Sequence, residues 1–380
     1  MLKIVSDNKI PFLRGALESF AKVEYYPGAQ IQRHHLYDAD ALIVRTRTRC
    51  DAQLLQGTKV RFIASATIGH DHIDKEFCTQ NGIVWANAPG CNANSVVQYM
   101  SSALATILLR TGKKFCDITF GIVGVGNVGN RLLNLCKLLG IKTLINDPPR
   151  ERIEGSNGFS SLQEVMAGAD IISLHVPLNP DGPDKTFHLA NSEMFSKMRK
   201  GAWLINTSRG EVVDTIALKN ALQAGIMRGA IIDVWEHEPN IDLQLLQMVC
   251  IATPHIAGYS ADGKANGTAM SVQAISRFFG LGINSWRPST IPPAPEGILI
   301  PKNCLTLENL FTQLSLASYN IETDHSALLA NPEMFEKLRE DYPIRREAPA
   351  HQVNTQNLTE EMKILTRNLG YNACEDDRFV

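Results

Sequence analysis

Three segments of this 380-residue chain each end an apolar, strand-like run on a group capable of chemistry. AWLIN leads to Thr207, Ser208 and Arg209; AIIDVW leads to Glu236, His237 and Glu238; VCIAT leads to Pro254 and His255. In an open α/β sheet, the residues just beyond the carboxyl ends of the strands line the ligand crevice. An arginine, a carboxylate and a histidine would then converge, supplying a planar cationic fork, an acceptor and a base that titrates near neutral pH. Taken singly, each has a plainer reading: a solvated arginine, a surface turn before proline, a turn histidine. Their common context is what joins them.

That context is set upstream by GIVGVGNVGNRLLNLCKLLG, in which Gly124, Gly126 and Gly129 fit GxGxxG. A strand-like FGIV precedes the glycines, and Val128, Leu132, Leu135 and Leu139 recur at steps of 4, 3 and 4 as on one helix face. Such a loop lets backbone come close to a pyrophosphate held at the helix N-terminus, where Asn127 and Val128 also lie. The next run, KTLIND, ends at Asp147, placed to accept hydrogen bonds from the adenosine ribose. A carboxylate there repels a 2′-phosphate, so NAD is expected over NADP. A methyltransferase could use the same loop, and the downstream groups decide between the two.

Positioning these groups calls for parallel strands alternating with helices. KIV, ALIVR and RFIASAT come early, then FGIVGVG, KTLIND, DIISLHVP, AWLINTS, GAIIDVW and VCIATP, separated by segments of helical period. NANSVVQYMSSALATILLR reads as a long helix joining two α/β domains, with Asn92 or Asn94 as its cap, and KANGTAMSVQAISRFFG as the helix that returns. RPSTIPPAPEGILIP, residues 287–301, favours an extended connector. The resulting expectation is an α/β protein with two Rossmann-like parallel-sheet domains around a cleft. A discontinuous substrate lid spans 1–93 and 258–286, a dinucleotide domain 94–257, and a smaller C-terminal α+β unit 302–380. Two lobes joined by long helices should close on ligand, which scattering with and without NAD and substrate would reveal.

Composition narrows the partners. With 37 Lys plus Arg against 39 Asp plus Glu and no block of like charge, neither nucleic acid nor an anionic surface is expected to bind. Eight scattered cysteines without a CxxC pair read as reduced thiols. MLKIVSDNKIPF has no apolar signal segment and no later run is of bilayer length, so we expect a soluble cytoplasmic chain and no membrane partner. IGHDHID clusters His70, Asp71, His72 and Asp74, side-chain types that suit several divalent ions, but we assign no metal.

Residues 40–285 resemble the D-2-hydroxyacid dehydrogenase family through GVGNVG, NTSRGEVVD, AIIDVWEHEP and TPHIAG. APGCNANSVVQY, HIAGYSADGKANGT and the extra C-terminal unit are most similar to a branch that takes a small phosphorylated 2-hydroxy acid and dimerises through that unit. The resemblance implies that His255 is the base that takes the C2 hydroxyl proton as hydride leaves for the nicotinamide, that Glu238 is its carboxylate partner, and that Arg209 grips the substrate carboxylate. It further assigns Thr207, Asp233 and Gly258 to the nicotinamide half of NAD, and Thr46, Thr67 and Tyr259 to substrate. Thr46 stands where the family often has serine, which keeps the hydroxyl. His175 is expected at the cofactor's edge or in packing. For the phosphate, Arg45 and Arg47 are candidates, on one face if their strand continues. A phosphoglycerate or glyoxylate/hydroxypyruvate enzyme, or an NAD-sensing binding protein, is the alternative. The presence of Arg209, Glu238 and His255 together favours an enzyme.

Overall fold

The computed structural model describes residues 1–295 and 297–375, which form two compact units. The first comprises Met1–Asn92 with Ser260–Pro292, the second Ala93–Tyr259 with Pro293–Val380.

The first unit is built on a five-stranded, all-parallel sheet: β1 (Leu2–Asp7), β2 (Ala21–Tyr26), β3 (Ala41–Val44), β4 (Phe62–Ser65) and β5 (Val84–Ala86), in the order β2-β1-β3-β4-β5. Every residue of β3 and β4 is buried, as parallel strands covered on both faces require. The edge strands β2 and β5 are only partly covered. The helix Ala261–Phe279 lays Val272 and Ile275 into this core and ends on the left-handed Gly280.

The second unit carries six parallel strands: β6 (Thr119–Val123), β7 (Lys142–Asn146), β8 (Ile171–Leu174), β9 (Ala202–Asn206), β10 (Met227–Ile232) and β11 (Ile251–Ala252), in the order β11-β10-β9-β8-β6-β7. The chain leaves β6 for β7 on one side and returns to β8 on the other, which makes the carboxyl ends of β6 and β8 a topological switch point. Asp170 ties this sheet together at the opposite end. Its carboxylate accepts the Thr119 N–H at 2.9 Å and pairs with Lys113 at 2.7 Å and Arg199 at 3.0 Å. Burial works against its charge, yet these partners hold its pKa below the ordinary value. Its contribution to stability is therefore complete above the ordinary carboxylate range and is lost as pH falls from there through the lowered folded pKa. Asp170→Asn is expected to cost about 1–3 kcal/mol in urea unfolding at neutral pH, and little once the pH is low enough to protonate the carboxylate.

The helix Ala93–Thr111 opens the second unit; Asn92 lies one residue ahead of it, its Oδ1 without a partner among the described residues. In the C-terminal part helices form at Leu307–Ser318, Ile321–Ala330, Phe335–Glu340 and Glu360–Asn368. The proline-rich stretch ends in a strand, β12 (Ile298–Leu299), which with β13 (Gln352–Asn354) and β14 (Asn372–Cys374) makes a small sheet in the order β12-β13-β14. That sheet is parallel throughout. Leu310, Phe311 and Leu314 share one hydrophobic cluster with Tyr99, Met100 and Ala103 of the first long helix. All eight cysteines are free thiols. No helix among the described residues is long and apolar enough to cross a membrane.

Candidate active site

The six strands of the second unit end in register. Asn146, Val123, Leu174, Asn206, Ile232 and Ala252 form one row of paired residues across the sheet. The residues that follow are Asp147, Gly124, His175, Thr207, Asp233 and Thr253, so one edge collects the groups singled out from sequence.

At the switch point, Gly129 sits so close to the preceding loop that a Cβ would overlap the Gly124 carbonyl oxygen. Gly126, by contrast, faces open space and caps the helix Asn127–Leu138 without any side-chain hydrogen bond. The first N–H groups of that helix thus remain available to an anion. Leu132, Leu135 and Leu139 are buried along its inner face, with Val128 half-buried. Asp147 uses its carboxylate to accept the Val125 N–H at 2.7 Å and the Arg150 N–H at 3.1 Å, which pins the glycine loop to the start of the next helix. A tight glycine loop, an uncapped helix start and a carboxylate at the end of β7 fit an NAD pyrophosphate and ribose.

Thr207 Oγ1 lies 3.2 Å from His175 Nδ1. Burial pushes the His175 imidazole down to about 4, so the ring is neutral at physiological pH. Its Nε2 is buried with no partner among the described residues. Beyond Thr207, Ser208 and Asn206 fold the chain into a tight turn, and Arg209 Nη1 donates to the Ser208 carbonyl at 2.8 Å. The glycine that follows the arginine, Gly210, is required by packing. A Cβ there would overlap the Trp235 carbonyl, so only glycine lets the loop after β9 pack against the loop after β10.

Asp233 is buried and organises the histidine loop. Its oxygens accept Thr253 Oγ1 at 2.6 Å, Ile256 N–H at 2.8 Å and Ala257 N–H at 3.0 Å, while its backbone carbonyl accepts the His255 N–H at 2.7 Å. These bonds hold His255 at φ +56°, a left-handed conformation costly to a side chain other than glycine. Burial raises the Asp233 pKa in spite of these donors. Tyr99 supports the loop from below through Thr253, at 2.8 Å.

His255 Nδ1 meets Glu238 Oε2 at 2.7 Å. Burial opposes the Glu238 charge, but His255, the Trp235 N–H at 3.0 Å and Arg339 hold its pKa below the ordinary value. An ionised carboxylate only accepts, so Nδ1 carries a proton and Nε2 is the ring nitrogen left to exchange one with a substrate. Glu236, the other carboxylate after β10, is engaged elsewhere, by His188 Nε2 at 2.7 Å and the Thr215 N–H at 2.9 Å. Arg339, which sequence reading missed, lies 3.8 Å from Glu238 and donates to the Tyr259 hydroxyl at 3.4 Å. No motif flagged it, because it comes from a separate helix 80 residues after Tyr259. Gly258 lies half-buried between that tyrosine and the histidine loop.

In the first unit, β3 stops at Val44, so Arg45 and Arg47 do not share a strand face as a continuing strand would require. A turn at Thr46 and Arg47 exposes both residues, while Arg45 forks onto the buried Asp7 at 2.9 and 3.4 Å. Arg47 instead lines a groove of about 560 Å³ with Arg33, His34 and Arg49. Thr67 Oγ1 lies 2.9 Å from Ser65 Oγ, which also meets His72 Nε2 at 3.3 Å. Asp74 caps the helix Lys75–Gln80, and His70 stands edge-on to Trp85. Among the described residues, no group of three His, Cys, Asp or Glu side chains is disposed to hold a metal ion.

Residues 104–257 match the NAD binding domain of the D-isomer specific 2-hydroxyacid dehydrogenases. The chain belongs to this family of NAD-dependent oxidoreductases. Within it, the chain is 51% identical over 353 residues to erythronate-4-phosphate dehydrogenase of Bacteroides fragilis, covering 93% of this chain and 99% of that protein. The Porphyromonas gingivalis erythronate-4-phosphate dehydrogenase is 42% identical over 365 residues, covering 96% and 98%. Among solved structures, the D-lactate dehydrogenase of Aquifex aeolicus complexed with NAD and lactic acid aligns with a TM-score of 0.59 at 26% identity, covering 76% of this chain and 100% of that one.

Proposed function

We propose that this protein oxidises 4-phospho-D-erythronate at C2 with NAD, giving 2-oxo-3-hydroxy-4-phosphobutanoate, a step of pyridoxal 5′-phosphate biosynthesis. The observation that carries this reading is the 2.7 Å Glu238–His255 pair, at the same sheet edge as the Arg209 loop, in a chain so close to the Bacteroides fragilis erythronate-4-phosphate dehydrogenase.

In this reading Gly124, Gly126, Asn127, Val128 and Gly129 hold the pyrophosphate, Asp147 the adenosine ribose, and Thr207, Asp233 and Gly258 the nicotinamide half. NAD, when bound, supplies the acceptor for the hydrogen and electron pair that leave C2. His255 Nε2 takes the hydroxyl proton, so the C2–H and O–H bonds break together and a C2 carbonyl forms. Glu238 stabilises the imidazolium and fixes its ring. Arg209 keeps its charge at any working pH and offers two parallel donors to the substrate carboxylate and the C2 oxygen. Thr46, Thr67 and Tyr259 are assigned to substrate. Of the two arginines assigned to the phosphate, Arg45 is already held by Asp7, which shifts the weight to Arg47.

The reading also takes 94–257 as the NAD domain, 1–93 with 258–286 as the lid, and 302–380 as the surface through which two copies form a cytoplasmic homodimer. Reduced-nicotinamide absorbance with 4-phosphoerythronate, 3-phosphoglycerate and unphosphorylated erythronate tests the substrate. At least a tenfold preference in kcat/KM for the first is expected, abolished in Arg209→Ala. Better turnover of another acid would discard the substrate, and NAD binding without turnover would discard the enzyme.

A further inference from the structure

The C-terminal segment 335–347 does more than pack. Arg345 is buried, stacks on Tyr319 with its guanidinium 4.4 Å from the ring centre, and donates to the Ala257 carbonyl at 2.6 Å. Two residues on, Glu347 accepts Ser95 Oγ at 2.8 Å. The segment is thereby fixed against the His255 loop. From this anchored position Arg339 reaches Glu238 Oε2, the same oxygen that His255 uses, at 3.8 Å, and lies over the Tyr259 ring with its Nη2 on that hydroxyl.

We propose that Arg339 is a positioning residue for the Glu238–His255 pair: sharing the carboxylate oxygen with the imidazole, it sets how firmly the pair holds a proton and how the carboxylate is aimed. The inference rests on the reading of His255 as the base. A cation beside the shared oxygen draws charge from Glu238 and repels an imidazolium, so it favours the neutral ring that can accept a proton. Among the described residues, the charged and titratable groups around the pair include Asp233 beneath the loop, Tyr259 beside it, Arg339 from the helix Phe335–Glu340 and Arg345 behind Asp233, and the loop after β9 brings Arg209 to the same sheet edge. Arg339 forms an ion pair with the carboxylate itself, at 3.8 Å.

The test follows the ring signals of the full-length protein by NMR across pH, with His255 assigned through His255→Asn, in wild type, Arg339→Gln and Arg339→Lys. Losing the cation should raise the His255 midpoint by about half a pH unit, while lysine should keep it near wild type. In parallel, the acid limb of kcat/KM should move to higher pH in Arg339→Gln, with KM changed less than twofold. Should Arg339→Gln fold poorly, Arg339→Met serves the same comparison. An unmoved midpoint overturns the inference, whatever happens to kcat. A KM raised tenfold for phosphorylated acids alone, with the midpoint unmoved, overturns it in favour of a direct substrate contact. A shifted midpoint in a protein that oxidises none of the acids supports the electrostatic role and removes the catalytic reading instead.

Discussion

His255→Asn is expected to lower kcat by about 10²–10⁴-fold while leaving NAD affinity within about twofold of wild type. Asparagine removes the Nε2 lone pair that accepts the hydroxyl proton. The loop itself should survive, because its backbone is held by Asp233 through Thr253, Ile256 and Ala257 and not by the imidazole. Asparagine also tolerates the left-handed φ of +56° at this position better than most side chains. Glu238→Gln should cost less than His255→Asn, since the base remains but loses the anion that steadies its charged form. Initial rates at saturating substrate, with NAD binding followed by calorimetry, check both variants. Retention of more than a tenth of wild-type kcat by His255→Asn would remove the histidine from the chemistry.

The glycine loop gives the second large effect, and two neighbouring substitutions should separate its two roles. Gly129→Ala places a methyl group on the Gly124 carbonyl, which forces the helix Asn127–Leu138 away from β6. We expect a loss of about 3 kcal/mol in unfolding free energy, the upper end of what overpacking costs, and NAD binding weakened at least a hundredfold. A Cβ on Gly126 meets nothing, so Gly126→Ala should leave stability within about 0.5 kcal/mol of wild type. Its methyl group would still crowd a pyrophosphate approaching the helix start, and NAD affinity should fall about tenfold. Equal NAD affinity in Gly126→Ala and wild type would place the dinucleotide elsewhere.

The central strands were legible because burial on both faces writes them as continuous apolar runs. ALIV, IISL and AWLIN are buried at every position. β2, AKVEYY, escaped because it is an edge strand whose residues are mostly half-covered, and β5, β12, β13 and β14 are too short for any run to stand out. The site was legible where a group follows a strand directly, as with Asp147, Thr207 and Asp233. Register then does the positioning. It was illegible where long-range packing brings a group in, as with Arg339 and Arg345, whose local sequence is an unremarkable charged stretch. Arg45 and Arg47 show the limit of extrapolating a strand: β3 ends at Val44, and a buried carboxylate on the neighbouring strand, Asp7, claims the first of them.

The most direct measurement is to incubate the protein with NAD and 4-phospho-D-erythronate carrying deuterium at C2, and to weigh both products by mass spectrometry. The account predicts deuterium in the reduced nicotinamide, a 2-oxo acid lighter by that label and one proton, and a primary isotope effect on single-turnover chemistry. Deuterium released to water, or an unchanged acid that keeps its label with no reduced nicotinamide formed, would contradict it.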